Sequence, residues 1–169
     1  MTIGPEAYNR LYAKMRSVNT LLAWGHARAI ENLLDTAPDC PRAISDQFGN
    51  PEQVKKALMG RGRKIELVQR HRAEADVAVA AASILARAAF LDGLARLQAA
   101  YGQRFPKGAS DQVQAAARDL VKAHGPGVLL KTAKCHFRTA DAVLAASGQS
   151  RAALGADGQA VSKPFVRRR

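Results

Sequence analysis

Apolar positions in the first third of the chain recur at helical spacing. Tyr8, Leu11, Tyr12 and Met15 repeat at i, i+3, i+4 and i+7 behind Gly4-Pro5, which predicts an amphipathic helix there. Ser17-Val18-Asn19-Thr20 offers cap-type side chains ahead of a second stripe formed by Leu22, Ala23, Ala27, Ile30 and Leu34. The Pro38-Asp39-Cys40-Pro41 loop ends that helix. The short run from Arg42 to Phe48 closes on Gly49-Asn50-Pro51 and reads as a strand that delivers Asp46 at its C-terminal end. A helix from Pro51 to Met59 should follow.

Ile65 to His71 alternates as a second strand and carries the chain to Arg72-Ala73-Glu74-Ala75-Asp76. Ala78, Ala80, Ala81, Ala82 and Ser83 then open a long helix that continues through Ile84, Leu85, Ala88, Leu91, Leu94 and Leu97 to a stop at Tyr101-Gly102. Its small side chains are expected to let it approach the sheet closely. Two further helices are predicted, Asp111 to His124 and about Gly127 to Ala146. Strand and helix alternating, with helices trailing, is an α/β arrangement. The expected organisation is a domain over residues 1–146 and a basic, flexible tail over 147–169.

At 169 residues one compact domain can form, burying about 70% of the surface the unfolded chain would expose. Charge adds a partner class. Lys and Arg number 26 against 14 Asp and Glu, for a net charge of +12, so the solvated surface favours polyanions such as nucleic acid. Charge selects no chemistry. Cys40 and Cys135 lie far apart and offer neither a disulfide framework nor a metal knuckle, which leads to the expectation of a reduced, cytoplasmic setting. The start, MTIGPEAYNR, lacks the basic and apolar regions of a signal peptide. The apolar run Val77 to Ala86 looks too short and too alanine-rich to span a bilayer, so no membrane is expected.

Acids at strand ends carry the candidate chemistry. Asp46 and Glu74 each stand at or near the end of a short apolar stretch, and carboxylate oxygens there suit a hard divalent cation that completes its shell with water and substrate phosphate. On the residues alone the commoner role is capping, Asp46 of the following loop and Glu74 or Asp76 of the next helix. Gly60 and Gly62 in Met59-Gly60-Arg61-Gly62-Arg63 would let backbone amides approach a phosphate, with Arg61 and Arg63 adding charge, although a flexible basic loop explains the composition as well. His26 reads as a packed or capping imidazole, and His71, His124 and His136 are too scattered for a zinc site. Lys163 to Arg169 is a basic end.

Five blocks bear a resemblance that changes this picture. LLAWGHARAIENLL (Leu21 to Leu34), ISDQFG (Ile44 to Gly49), AEADVAVAAASILAR (Ala73 to Arg87), FPKGAS (Phe105 to Ser110) and AKCHF with Arg138 and Thr139 occur in the order and spacing of bacterial ribonuclease HIII, of the type 2 ribonuclease H family. The chain resembles it from about Ile3 to about Leu144. The resemblance implies a ribonuclease H-like fold. It also implies endonucleolytic cleavage of the RNA strand of RNA/DNA hybrids with Mg²⁺ or Mn²⁺, leaving 5'-phosphate and 3'-hydroxyl ends. Of the family's four metal-binding carboxylates, the third falls on Asp46 and the fourth on Glu74, with Asp76 the fallback ligand. Lys107, Ser83 and Arg87 match family positions near the site or its supporting packing.

One part of the family pattern has no counterpart. The family opens its catalytic domain with a strand bearing an Asp-Glu pair, then a glycine- and lysine-rich turn and two further strands. This sequence begins at the segment that follows them and contains no Asp-Glu dipeptide. The expectation is therefore an N-terminally truncated ribonuclease H-like fold whose strand around Ile44 has an unpaired edge. Two carboxylates would hold an ion loosely, and the chain alone is expected to be weakly active or inactive. The readings this leaves are a nuclease with a longer encoded N-terminus, a fragment that pairs with a separate N-terminal piece, and a basic nucleic-acid binder.

Overall fold

Gly4 leads into α1 (Pro5–Met15), where proline at the first helical position and Glu6 in the first turn suit the helix start. Arg16 ends it in the left-handed conformation, its N–H returning to the Tyr12 carbonyl. Ser17 caps α2 (Val18–Thr36) by accepting a hydrogen bond from the Thr20 N–H. After β1 (Arg42–Asp46), Asn50 caps α3 (Pro51–Ala57) through its contact with the Glu52 N–H. A 3-10 turn over Gly62–Lys64 leads to β2 (Glu66–Arg70), and a second over Ala73–Ala75 leads to α4 (Val77–Tyr101). Then come α5 (Asp111–His124), α6 (Val128–Thr132), α7 (Thr139–Ala146), a 3-10 turn over Arg151–Leu154, and α8 (Gly155–Gly158). The structure is a computed structural model and describes residues 1–162.

Contacts divide the chain into two compact units, one comprising Met1 and Ser17–Phe90, the other Thr2–Arg16 and the described residues from Leu91 on. In the first, β1 and β2 pair in parallel, Arg42 opposite Glu66 through Asp46 opposite Arg70. These are the only strands among the described residues, so each has one edge without a strand partner. Leu21, Ala23, Ala27, Leu34, Val54, Leu58 and Ala73 are its buried apolar residues, with α3 packed on α2.

In the second unit, Leu120, Val121, Val128, Leu129, Cys135, Ala140, Val143, Leu144 and Leu154 make one continuous core. The helix expected from about Gly127 to Ala146 is two helices, α6 and α7, and the reason is Asn9. Its side-chain amide donates to the carbonyls of Leu130 and Ala133 at 3.0 and 2.8 Å, and its carbonyl accepts from the Cys135 N–H at 2.9 Å. Those backbone groups are thereby satisfied by a side chain in place of a continuing helix. His136, in the break, lies against Tyr8, Tyr12 and Phe137.

Two further expectations are corrected. Residues 147–162, read as the start of a basic tail, carry structure: Leu154 and Ala160 are buried, and Arg151 bonds to Asp141 and to the carbonyls of Cys135 and Gly158. The basic end from Lys163 to Arg169 lies outside the described residues. The long helix α4 does not use its small residues to approach the sheet. None of its residues is buried, and Val77, Ile84 and Leu85 are 84%, 70% and 71% exposed. By length and composition α4 is also long and apolar enough to cross a membrane, contrary to the reading from its alanine-rich start.

Candidate active site

Alternation along β1 sends neighbouring side chains to opposite faces, so Ser45 is buried while Asp46 is exposed. Asp46 stands at the C-terminal end of its strand, where the next residue still holds the sheet: the Gln47 N–H donates to the Arg70 carbonyl at 3.1 Å. One Asp46 oxygen, Oδ1, accepts from the Ala73 N–H at 3.2 Å. Ala73 is fully buried and begins the 3-10 turn that carries Glu74. A single hydrogen bond thus ties the strand that delivers the first acid to the turn that delivers the second. Oδ2 of Asp46 and the exposed Glu74 carboxylate engage no hydrogen-bond partner among the described residues.

Asp76 has a different occupation. Its Oδ1 accepts from the Ala78 N–H at 3.0 Å, its main-chain carbonyl accepts from the Ala80 N–H, and its Oδ2 lies 3.4 Å from an Arg70 guanidinium nitrogen. That is the arrangement of a helix N-cap with an ion-pair partner. Of the two adjacent acids, the geometry leaves Glu74 available and spends Asp76 on starting α4.

The glycine-arginine loop holds an internal anion. Backbone N–H groups of Arg61 and Gly62 donate to the Glu31 carboxylate at 2.9–3.1 Å, and the Arg61 guanidinium pairs with Glu31 and Asp35. Those amide bonds, followed by the nearby arginines Arg61 and Arg28, hold the Glu31 carboxyl below its usual range. A Cβ on Gly62 would come within 3.2 Å of Leu58, so glycine permits this close approach. Arg63 donates through Nε to the Leu58 carbonyl at 2.8 Å. The amides considered for phosphate are therefore engaged in binding α2 to the loop.

Behind β1, His26 Nδ1 lies 3.2 Å from Ser45 Oγ, and its ring packs on Phe48 with centroids 5.1 Å apart. Burial pushes the His26 imidazole below its usual pKa, and Asp46 pulls it partly back. This link was invisible to motif reasoning. The alternation of β1 was the available signal, because it turns Ser45 toward the helix side when Asp46 faces out. Lys107 is exposed in the loop before α5 and belongs to the other unit, whereas Ser83 and Arg87 lie exposed on α4.

Oxygen donors are the right kind for Mg²⁺ or Mn²⁺. The number is small, because no cluster of three or more His, Cys, Asp or Glu side chains forms among the described residues. The donor chemistry fits such an ion, with waters or substrate oxygens needed to fill its shell.

Comparison with known proteins agrees with the blocks. The family model described as ribonuclease HII matches residues 5–140. Ribonuclease HIII of Chlamydia trachomatis serovar L2 is 47% identical over 150 residues, covering 88% of this chain and 50% of that protein. Ribonuclease HIII of Protochlamydia amoebophila is 44% identical over 147 residues, covering 87% and 48%. The crystal structure of Bst-RNase HIII in complex with Mn²⁺ superposes with a TM-score of 0.79 at 30% identity, over 87% of this chain and 49% of that one. Aquifex aeolicus RNase H3 gives 0.57 at 28% identity, over 78% and 45%. The mixed α/β architecture is accordingly ribonuclease H-like, as expected, and the chain spans about half the length of the curated relatives it matches. The chain belongs to the ribonuclease HII family and within it is similar to ribonuclease HIII.

Proposed function

We propose that this polypeptide serves endonucleolytic hydrolysis of the RNA strand of RNA/DNA hybrids, with Asp46 and Glu74 as metal-binding carboxylates. The observation that carries the proposal is the Asp46 Oδ1 contact with the Ala73 N–H, which links the two acids through 3.2 Å of hydrogen bond and leaves Oδ2 to face an ion. A bound Mg²⁺ or Mn²⁺ would polarise the scissile phosphate and make a water a stronger nucleophile at neutral pH. The Ala73 amide holds the Asp46 carboxylate in orientation, and Glu74, at the head of α4, supplies the second anionic donor. Net positive charge favours the approach of the hybrid backbone, with Lys107 as the specific cation proposed to meet it.

Single-turnover cleavage of an end-labelled hybrid in Mn²⁺ tests this. Removing a group that merely supports a ligand lowers metal affinity or activity by about 10–100-fold, so Asp46→Asn and Glu74→Gln should each lower the rate at least about 100-fold. Asp76→Asn should stay within a few-fold. Cleavage by Asp46→Asn at the parental rate sinks the proposal, and a loss in Asp76→Asn matching that of Glu74→Gln reassigns the second ligand.

The exposed apolar residues of α4 favour a second reading, concerning what else the reaction needs. Val77, Ile84, Leu85, Phe90 and Leu91 are all solvent-exposed, and this much exposed apolar surface on one helix marks an interaction surface. The relatives are about twice as long as the portion matched. We infer that polypeptide equivalent to the rest of their length, on the same polypeptide or a separate one, covers α4 and the open edge of β1. Mixing the 169-residue chain with the remaining half of the Protochlamydia amoebophila enzyme should raise hybrid cleavage above either piece alone. No gain at micromolar concentrations would remove this reading.

A further inference from the structure

We propose that His26 is a positioning residue for Asp46, acting through the Ser45 hydroxyl to hold the strand end that presents the carboxylate. The inference rests on the reading of Asp46 as a metal ligand and names a residue of α2 as part of its support.

Three contacts form one chain across β1. The Ser45 hydroxyl lies 3.2 Å from His26 Nδ1 and 3.1 Å from the Asp46 main-chain carbonyl. A serine has one proton to give. Both contacts are satisfied together when His26 Nδ1–H donates to Ser45 Oγ and Ser45 O–H donates to the Asp46 carbonyl. Donor and acceptor then run in one direction, an arrangement in which each bond strengthens the next.

The other end of the residue is fixed by the Ala73 N–H on Oδ1. Asp46 is thus held behind by its own carbonyl and in front by its side chain. Position matters here because β1 ends at this residue and strand ends fray unless tied. Ser45 is 5% exposed, and the His26 ring is wedged against Phe48. Burial shields the relay from competing water and makes an unmade bond there costly. His26 bonds to Ser45 and not to the Asp46 carboxylate, so it acts on the site as a positioning residue through the placement of Asp46.

Amide hydrogen exchange and Mn²⁺ titration of the full 169-residue chain, followed by NMR, test this with no need for cleavage. In metal-free protein, Ser45→Ala and His26→Ala should speed exchange of the Ala73 amide by about threefold to tenfold, the effect of losing one modest hydrogen bond. The Glu66 amide, bonded to the Pro41 carbonyl at the other end of the same sheet, should stay within twofold of its parental rate. His26→Asn keeps a donor near the Nδ1 position and should restore the Ala73 rate. Paramagnetic broadening around Asp46 and Glu74 should require about threefold to tenfold more Mn²⁺ in Ser45→Ala and His26→Ala, and should vanish in Asp46→Asn.

Equal acceleration at Ala73 and Glu66 would show general loosening of the sheet and overturn the positioning role. So would a Ser45→Ala variant with parental exchange and parental Mn²⁺ response, and this variant leaves the His26 ring packing in place if His26→Ala fails to fold. Broadening that survives in Asp46→Asn would instead remove the metal-ligand reading itself, a result distinct from failure of the relay.

Discussion

The two units of this chain solve unequal problems. The unit from Leu91 on, with Thr2–Arg16, has a continuous core of large apolar side chains, and Asn9 satisfies three backbone groups that a helix break would otherwise strand. The Ser17–Phe90 unit holds both candidate acids. It has only two strands, its buried set includes three alanines, and its part of α4 shows Val77, Ile84 and Leu85 to solvent. The lesson is that carboxylates for a shared ion need exposure and strand ends, which are poor sources of burial energy. The stable packing is concentrated where no candidate metal ligand stands.

The sharpest way to break that contrast is to open the larger core. Leu144 is fully buried, so Leu144→Ala should lower unfolding free energy by about 2–5 kcal/mol, measured by urea titration. A change below 1 kcal/mol, again on the scale set for core truncations, would show that this unit is no better packed than the other.

Acid supplies the next test. Burial first, and then the charges of Lys134 and Arg151, push the His136 imidazole down to about 4, and neither ring nitrogen has a hydrogen-bond partner among the described residues. Above pH 6.5, the ordinary histidine value, neither the folded nor the unfolded chain protonates this ring, and its contribution is complete. As pH falls from about 6.5 towards 4, the unfolded chain takes up a proton that the fold refuses. Stability should then drop by up to about 3 kcal/mol. His136→Phe should flatten the dependence over that interval, and an unchanged slope in its urea midpoints would move the cause elsewhere.

Smallest in stability is the change expected on α4. Ile84→Gln and Leu85→Gln replace exposed side chains and should alter unfolding free energy by no more than about 0.5 kcal/mol in the 169-residue chain. Sedimentation should show less self-association in both, because the exposed apolar area falls. A loss of several kcal/mol would mean that α4 is packed, and the contrast between the units would fail.

Much of the secondary structure was legible from local signals. The Pro5 start, the cap-type residues from Ser17, the β-type run into Asp46 closed by Gly49-Asn50-Pro51 and the stop near Gly102 are short-range chemistry, and α1, α2, β1, α3, β2, α4 and α5 formed where these signals stood. The break between α6 and α7 was hidden, because its cause, Asn9, lies more than 120 residues away in sequence. The structured stretch 147–162 was hidden too. Its composition reads as loop, and only contact with the Leu144 neighbourhood gives Leu154 a place to bury.

The candidate site divides along the same line. Residue type and strand-end position singled out Asp46 and Glu74, and the resemblance carried by block order pointed to the family and added Asp76 as a fallback ligand. The resemblance ranked Glu74 ahead of Asp76, but the residues alone left open which of the two caps the next helix, and the start of α4 claims Asp76. Nor could sequence tell that the Arg61 and Gly62 amides hold Glu31, or that Ser45 links His26 to Asp46. Sequence by itself determined which groups are present and where both strands and the helices up to α5 begin, because those depend on neighbours within a few residues. Tertiary structure decided which carboxylates remain available and which are spent on caps and loops. Each hydrogen bond uses a donor that only folding brings within about 3 Å.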